Sequence, residues 1–158
     1  MDTGKIIRSQ YLAALEMLKQ VIVKCPEALW GAPGDENSCW IKAYHSLFYT
    51  HLYLQKEEAD FKPWHKQHAE GDGTPYTRAE ILEYLAFTQQ VIQQQTAQLD
   101  LEAPSGFHWI PFNKLELQFY NIRHIQQHAG ELFERLGSNA KIELDWVSLV
   151  RDSNESSS

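Results

Sequence analysis

"KEEADFKPWHKQHAEGDGTPY", residues 56–76, is the stretch on which the fold turns. It shows no helical or strand periodicity, contains two prolines and two glycines, and ends against Thr77, which with Glu80 three residues on forms a capping box that opens a helix. A turn between antiparallel helices needs only a few residues, whereas this connection, if extended, reaches roughly 60 Å. It can therefore carry the chain back along its neighbours and set the helices on either side of it parallel.

Working outward, "CWIKAYHSLFYTHLYL", residues 39–54, precedes the crossing. It reads as a second helix running to about Gln55, with Asn37 or Ser38 available as its cap. The turn-rich segment "PEALWGAPGDENS", residues 26–38, separates it from a first helix over Thr3–Lys24. There Ile6, Ile7, Leu12, Leu15, Leu18, Val21 and Ile22 recur at three- and four-residue steps until Pro26 stops the run. Beyond the crossing, a third helix extends from Thr77 toward Leu99. A further turn segment, "DLEAPSGFHWIPF", residues 100–112, leads to Asn113 and Glu116, which start a fourth helix that Gly137 is placed to stop. "AKIELDWVSL" makes a short, extended appendix, and the serine-rich residues 151–158 form a disordered, solvated tail. Without repeats or strand alternation, the expectation is an all-α domain over residues 1–150. Four helices, each with one apolar stripe, bury best as a four-helix bundle. The long helix 2 to helix 3 crossover gives it an up-down-down-up order.

Composition narrows the function. At 43% hydrophobic and 12% aromatic the chain can build a core without disulfides or a structural metal, and no apolar run is long enough for a membrane span. A net charge of −7 and no basic stripe argue against a nucleic-acid partner. The opening "MDTGKIIRSQ" lacks the pattern of a signal peptide, and Cys25 and Cys39 sit in no metal or disulfide pattern. The expectation is a cytoplasmic protein with two reduced thiols.

Histidines are the candidate functional groups. In "NIRHIQQHAGELFERL", residues 121–136, His124 and His128 are spaced i, i+4 on one helical stripe, so their ring nitrogens can converge on one ion. The second helix offers His45 or His51 as a third ligand. Six residues apart, they point some 120° apart around the axis, so only one can take part. At about 1.5 Å per residue, His45 lies level with His124 and His128 if the second and fourth helices are antiparallel, and His51 if they are parallel. The long crossing favours the antiparallel case and His45. His51 falls in the middle of the apolar stripe of Trp40, Tyr44, Leu47, Phe48 and Leu54, where a core histidine belongs.

A second helix of the form W-x-x-x-Y-H-x-L-F, a long crossing, and R-H-x-x-x-H-x-G-E-L on the last helix together resemble the DinB/YfiT-like superfamily of metal-dependent enzymes. The resemblance covers nearly the whole chain and is most specific over "IRHIQQHAGELFERL". It implies a three-histidine divalent metal site formed by His124, His128 and, carried onto the second helix, His45. It also implies a hydrolase or thiol-dependent transferase acting on a small molecule.

Three neutral imidazoles leave an open position on Zn(II) or Ni(II), the arrangement that activates a bound water or thiol. Glu131 and Asn121 stand where they can orient a water or a ligand ring. His65 and His68 form an HxxH in the crossing that reads as exposed, and Trp64 and Trp109 are candidates for a substrate mouth or for packing over the bundle ends. Two rival readings remain: a non-catalytic metal- or small-ligand-binding bundle, and an acidic homodimer used for protein contacts.

Overall fold

Asp2 starts the first helix by accepting the Lys5 N–H on its carboxylate at 3.0 Å, the side-chain cap that a helix N-terminus needs. The structure, a computed structural model, describes residues 2–70 and 72–150. The expected tail over residues 151–158 lies outside the described residues. Those described form α1 (Thr3–Lys24), a one-turn α2 (Glu27–Trp30), α3 (Cys39–Tyr53), a 3-10 turn (Glu58–Asp60), α4 (Arg78–Gln95) and α5 (Lys114–Ala140). They contain no strand, so the chain is all-α as expected.

Both predicted starts beyond the crossing are made as read. Thr77 and Glu80 close a reciprocal capping box, and Asn113 accepts the Glu116 N–H at 2.9 Å. Three expected boundaries differ. Ser38 precedes α3 without a side-chain cap bond. The third long helix stops at Gln95 rather than near Leu99, where the Thr96 hydroxyl donates to the Ile92 carbonyl at 2.7 Å. Gly137 does not stop the last helix, which continues to Ala140 until Lys141 turns left-handed at φ 59° and returns its N–H to the Gly137 and Leu136 carbonyls.

The directions of the long helices follow from their contacts. Along α3 and α5, Lys42 meets Glu131, Thr50 meets Asn121 and Tyr53 meets Gln118, so the two run antiparallel. Tyr11 with Gln118 and Met17 with Gln126 make α1 and α5 parallel. Arg78 donates to the carbonyls of Ile22 and Cys25 at the far end of α1. The near end of α1 brings Gly4 so close to Thr96 that an added Cβ would sit 2.8 Å from its carbonyl oxygen. α1 and α4 are therefore antiparallel. α3 and α4 run parallel, with Tyr44 beside Tyr84 and His51 beside Phe87.

The crossing is packed rather than loose. Trp64 is buried and stacks on Tyr84 at 4.6 Å, while Tyr76 is buried and accepts the Trp30 indole N–H on its carbonyl at 2.9 Å. Lys114, almost fully buried, clips the end of α3 to the turn before α5 by donating to the carbonyls of Gln55, Lys56 and Ser105. Gly106 makes that approach possible, since at φ 84° a Cβ there would collide with the Lys56 carbonyl. Residues 141–150 lie extended along α1, where the Gln20 side chain exchanges two hydrogen bonds with the Asp145 backbone.

The cysteines correct the sequence reading. Cys25 and Cys39 are joined in a disulfide, not reduced, tying the end of α1 to the start of α3. Nothing in their spacing announces this, because the 26–38 segment that closes the loop gives no local signal. Disulfides belong mainly to oxidising compartments, so the thiols no longer support a cytoplasmic location. No helix among the described residues is long and apolar enough to cross a membrane. Closing a loop of sequence separation 14 should stabilise the chain by about 3 kcal/mol. Urea unfolding with and without reductant should show that difference. Two alkylatable thiols in the unreduced, denatured protein would show that the pairing does not form.

Candidate metal centre

α3 and α5 bring three histidines to one point because their antiparallel run sets His45 opposite the turn that holds His124 and His128. His45 Nε2 lies 3.0 Å from His124 Nε2, and His128 Nε2 lies 3.1 Å from the same atom. A ligand nitrogen from each residue lies within 4.8 Å of the other two. These three side chains could hold a metal ion. Two nitrogens at that separation, each about 2.0–2.1 Å from a common point, subtend roughly 95°. That angle falls between octahedral and tetrahedral values, so the donor set fits either geometry.

The surrounding groups prepare the rings as neutral donors. Burial pushes the His124 imidazole down to about 4, aided by the His128 and His45 rings and opposed by Glu131. Burial likewise lowers His45, with His128 and Lys42 pushing the same way against Glu131. Glu131 accepts from His128 Nδ1 at 2.9 Å. A carboxylate can only accept, so Nδ1 carries the proton and the Nε2 lone pair of the neutral ring is left facing the cluster. Burial works against ionisation of Glu131, but hydrogen bonds from Lys42, His128 and Gln127 outweigh it and hold the carboxyl at about 2. Tyr49 closes one side of the cluster, its ring 4.8 Å from that of His45 and 5.5 Å from that of His124.

Two clefts adjoin the cluster. One, of about 680 Å³, runs from His45 along α3 to the end of the crossing at His68 and Tyr76. The other, of about 490 Å³, lies between His45 and His124 under Tyr49, Tyr120 and Trp109.

The remaining candidates separate. His51 is buried away from the cluster, with Nδ1 3.2 Å from the Tyr84 hydroxyl and its ring against Phe61 and Phe87. Asn121 is buried and donates to the Thr50 carbonyl at 3.5 Å instead of orienting a ring; its Oδ1 and His124 Nδ1 have no hydrogen-bond partner among the described residues. His65 is exposed beside Glu83 as expected, but His68 is half-buried and stacked on Tyr76 at 3.8 Å. Trp109 lines the second cleft, whereas Trp64 is core. Sequence reasoning missed Lys42, whose only signal was its place one turn before His45 and Ser46 on the same helix. No family model matches the chain, and neither a curated protein nor a solved structure does.

Proposed function

We propose that this chain is a metal-dependent enzyme of the DinB/YfiT-like kind, an up-down-down-up four-helix bundle in which His45, His124 and His128 hold one Zn(II) or Ni(II) ion. The convergence of the three imidazoles, with two Nε2 pairs at 3.0 and 3.1 Å, carries this reading. A neutral His124 carries a single N–H, which on Nε2 can serve only one of the two pairs, and the lowered His45 and His124 values disfavour the added proton that the other pair would need in place of a cation. The antiparallel pairing of α3 with α5 and the parallel pairing of α3 with α4 support the bundle order. A bound ion of this class supplies Lewis acidity that brings a water toward a pKa near 7 or ionises a thiol, the chemistry of a hydrolase or a thiol-dependent transferase.

The chain's own residues do the rest. Glu131 fixes the tautomer and direction of His128, and Lys42 anchors Glu131 from the opposite helix at 2.7 Å. Tyr49 keeps bulk water off the ring edges, and the two clefts admit a small molecule on either side of His45.

Elemental analysis after reconstitution should find about one Zn or Ni per chain. Because the core is apolar and independent of the cluster, chelation should leave the far-UV helical signal intact and lower Tm only as loss of a bound ligand would. Absence of metal after reconstitution, with no change in His128→Ala, would remove the centre; collapse of the helical signal on chelation would make the ion structural instead. Turnover of ester, amide or thiol-acceptor substrates by the loaded protein, lost on chelation, tests the enzymatic part.

A further inference from the structure

We propose that the cleft between α3 and the end of the crossing binds a small organic cation, a primary or secondary amine carrying an aromatic or apolar body. At about 680 Å³ the cleft has the size of a small-molecule site. Its walls are the rings of Trp40, Tyr44, Phe48, Tyr49 and Tyr76, and no lysine or arginine among the described residues lines it. Aromatic faces carry negative potential and attract ammonium groups.

Two of the cleft's polar atoms are acceptors left without a donor among the described residues, and its one charged side chain is a carboxylate. His68 Nδ1 lies 3.1 Å from the Thr74 carbonyl. A carbonyl can only accept, so Nδ1 carries the proton, and Nε2 of the neutral ring is an acceptor without a partner among the described residues. That ring is held in place by its stack on Tyr76 and by donation of the His68 backbone N–H to the Tyr76 hydroxyl at 2.6 Å. The Thr74 hydroxyl proton is already spent on Asp72. Glu70 lines the rim, exposed, with no cation paired to it among the described residues. Gln67 Oε1 is buried in the wall without a donor. An anion entering the cleft meets a carboxylate and unpaired acceptors, with only the uncharged N–H and O–H groups of Trp40, Tyr49 and Gln67 to receive it. An amine meets aromatic faces, His68 Nε2 and Glu70, in a chain whose net charge of −7 already favours cations.

That such an amine is the substrate, with its apolar end toward His45, rests on the metal-centre reading above. Its binding does not. The test therefore uses full-length protein freed of metal with a chelator. Tryptamine and phenethylamine, and their carboxylate counterparts indole-3-propionate and 3-phenylpropionate, are titrated against it by NMR. The amines should shift the Trp40 indole and His68 ring resonances and bind at least about tenfold more tightly than the carboxylates. Long-range ¹⁵N spectra should show His68 protonated on Nδ1. Glu70→Gln should weaken amine binding roughly fivefold and leave metal uptake unchanged. Carboxylates binding as tightly as amines, or amine affinity unchanged in both Glu70→Gln and His68→Gln, would overturn the proposal. Amine binding in a protein that takes up no metal would support it while removing the metal centre, so the two failures are distinguishable.

Discussion

His45→Ala should lower the Zn(II) affinity of the protein by more than about 100-fold, the upper range for loss of a group that merely supports a ligand, while His51→Ala should leave affinity unchanged. The contrast follows from where α3 points the two rings. His45 Nε2 faces His124 Nε2 at 3.0 Å, so its removal leaves two donors, too few to hold the ion against water. Glu131→Gln keeps the ligands but weakens the acceptor for His128 Nδ1, and should cost about 10- to 100-fold. His51 is only 4% exposed and packed against Phe61, Phe87 and Tyr84. Truncating it opens a cavity and strands the Tyr84 hydroxyl, for about 3 kcal/mol of lost stability. Competition titration with a chromophoric chelator and urea unfolding, run on both variants, read the two effects separately. Wild-type affinity in His45→Ala, or weakened affinity in a well-folded His51→Ala, would show that the ligand set is wrong.

What the sequence made legible was whatever four or five consecutive residues decide. The Thr77–Glu80 box and the Asn113 cap are local, and both are formed. The i, i+4 spacing of His124 and His128 is local too, and their Nε2 atoms lie 3.1 Å apart. Choosing His45 over His51 needed one long-range fact, the direction of α3 against α5, and the length of the crossing supplied it. Helix ends were less legible because tertiary contacts decide them: Lys141, not Gly137, takes the left-handed turn once residues 141–150 are drawn along α1.

The disulfide, the Lys114 clip and the packing of His68 were not legible at all. Each joins segments that are unremarkable alone. Cys25 and Cys39 meet only because the 26–38 loop folds back. Lys114 follows the Asn113 cap and looks like an ordinary first-turn residue until three carbonyls from two other segments converge on it. His68 sits among polar residues in sequence, yet Tyr76, eight residues later, turns its ring into a cleft wall.

The metal-free protein should lose stability as pH falls from about 6.5 to 4, and His51 should account for about 3 kcal/mol of that loss. Burial pushes the His51 imidazole down to about 4. In the unfolded chain the ring takes up its proton near 6.5. Between those two values the unfolded state binds more protons than the folded one, so stability rises with pH across the window and is lost on acidification. At about 1.4 kcal/mol per pH unit the interval is worth about 3 kcal/mol. His124, also pushed down to about 4, adds to the same slope in the metal-free protein. An ion held by His124 would engage that lone pair and move this part of the slope into metal affinity. His51→Gln removes the titrating ring while offering Tyr84 a polar partner, so its urea-unfolding free energy should fall less steeply than that of the wild type between pH 6.5 and 4. Glu131, held at about 2 against an ordinary value of about 4.3, begins to lose its contribution at the lower end of this window, and does so equally in wild type and His51→Gln, so the difference between their slopes still reports His51. Identical slopes for wild type and His51→Gln in chelator would mean that His51 is not held neutral in the core.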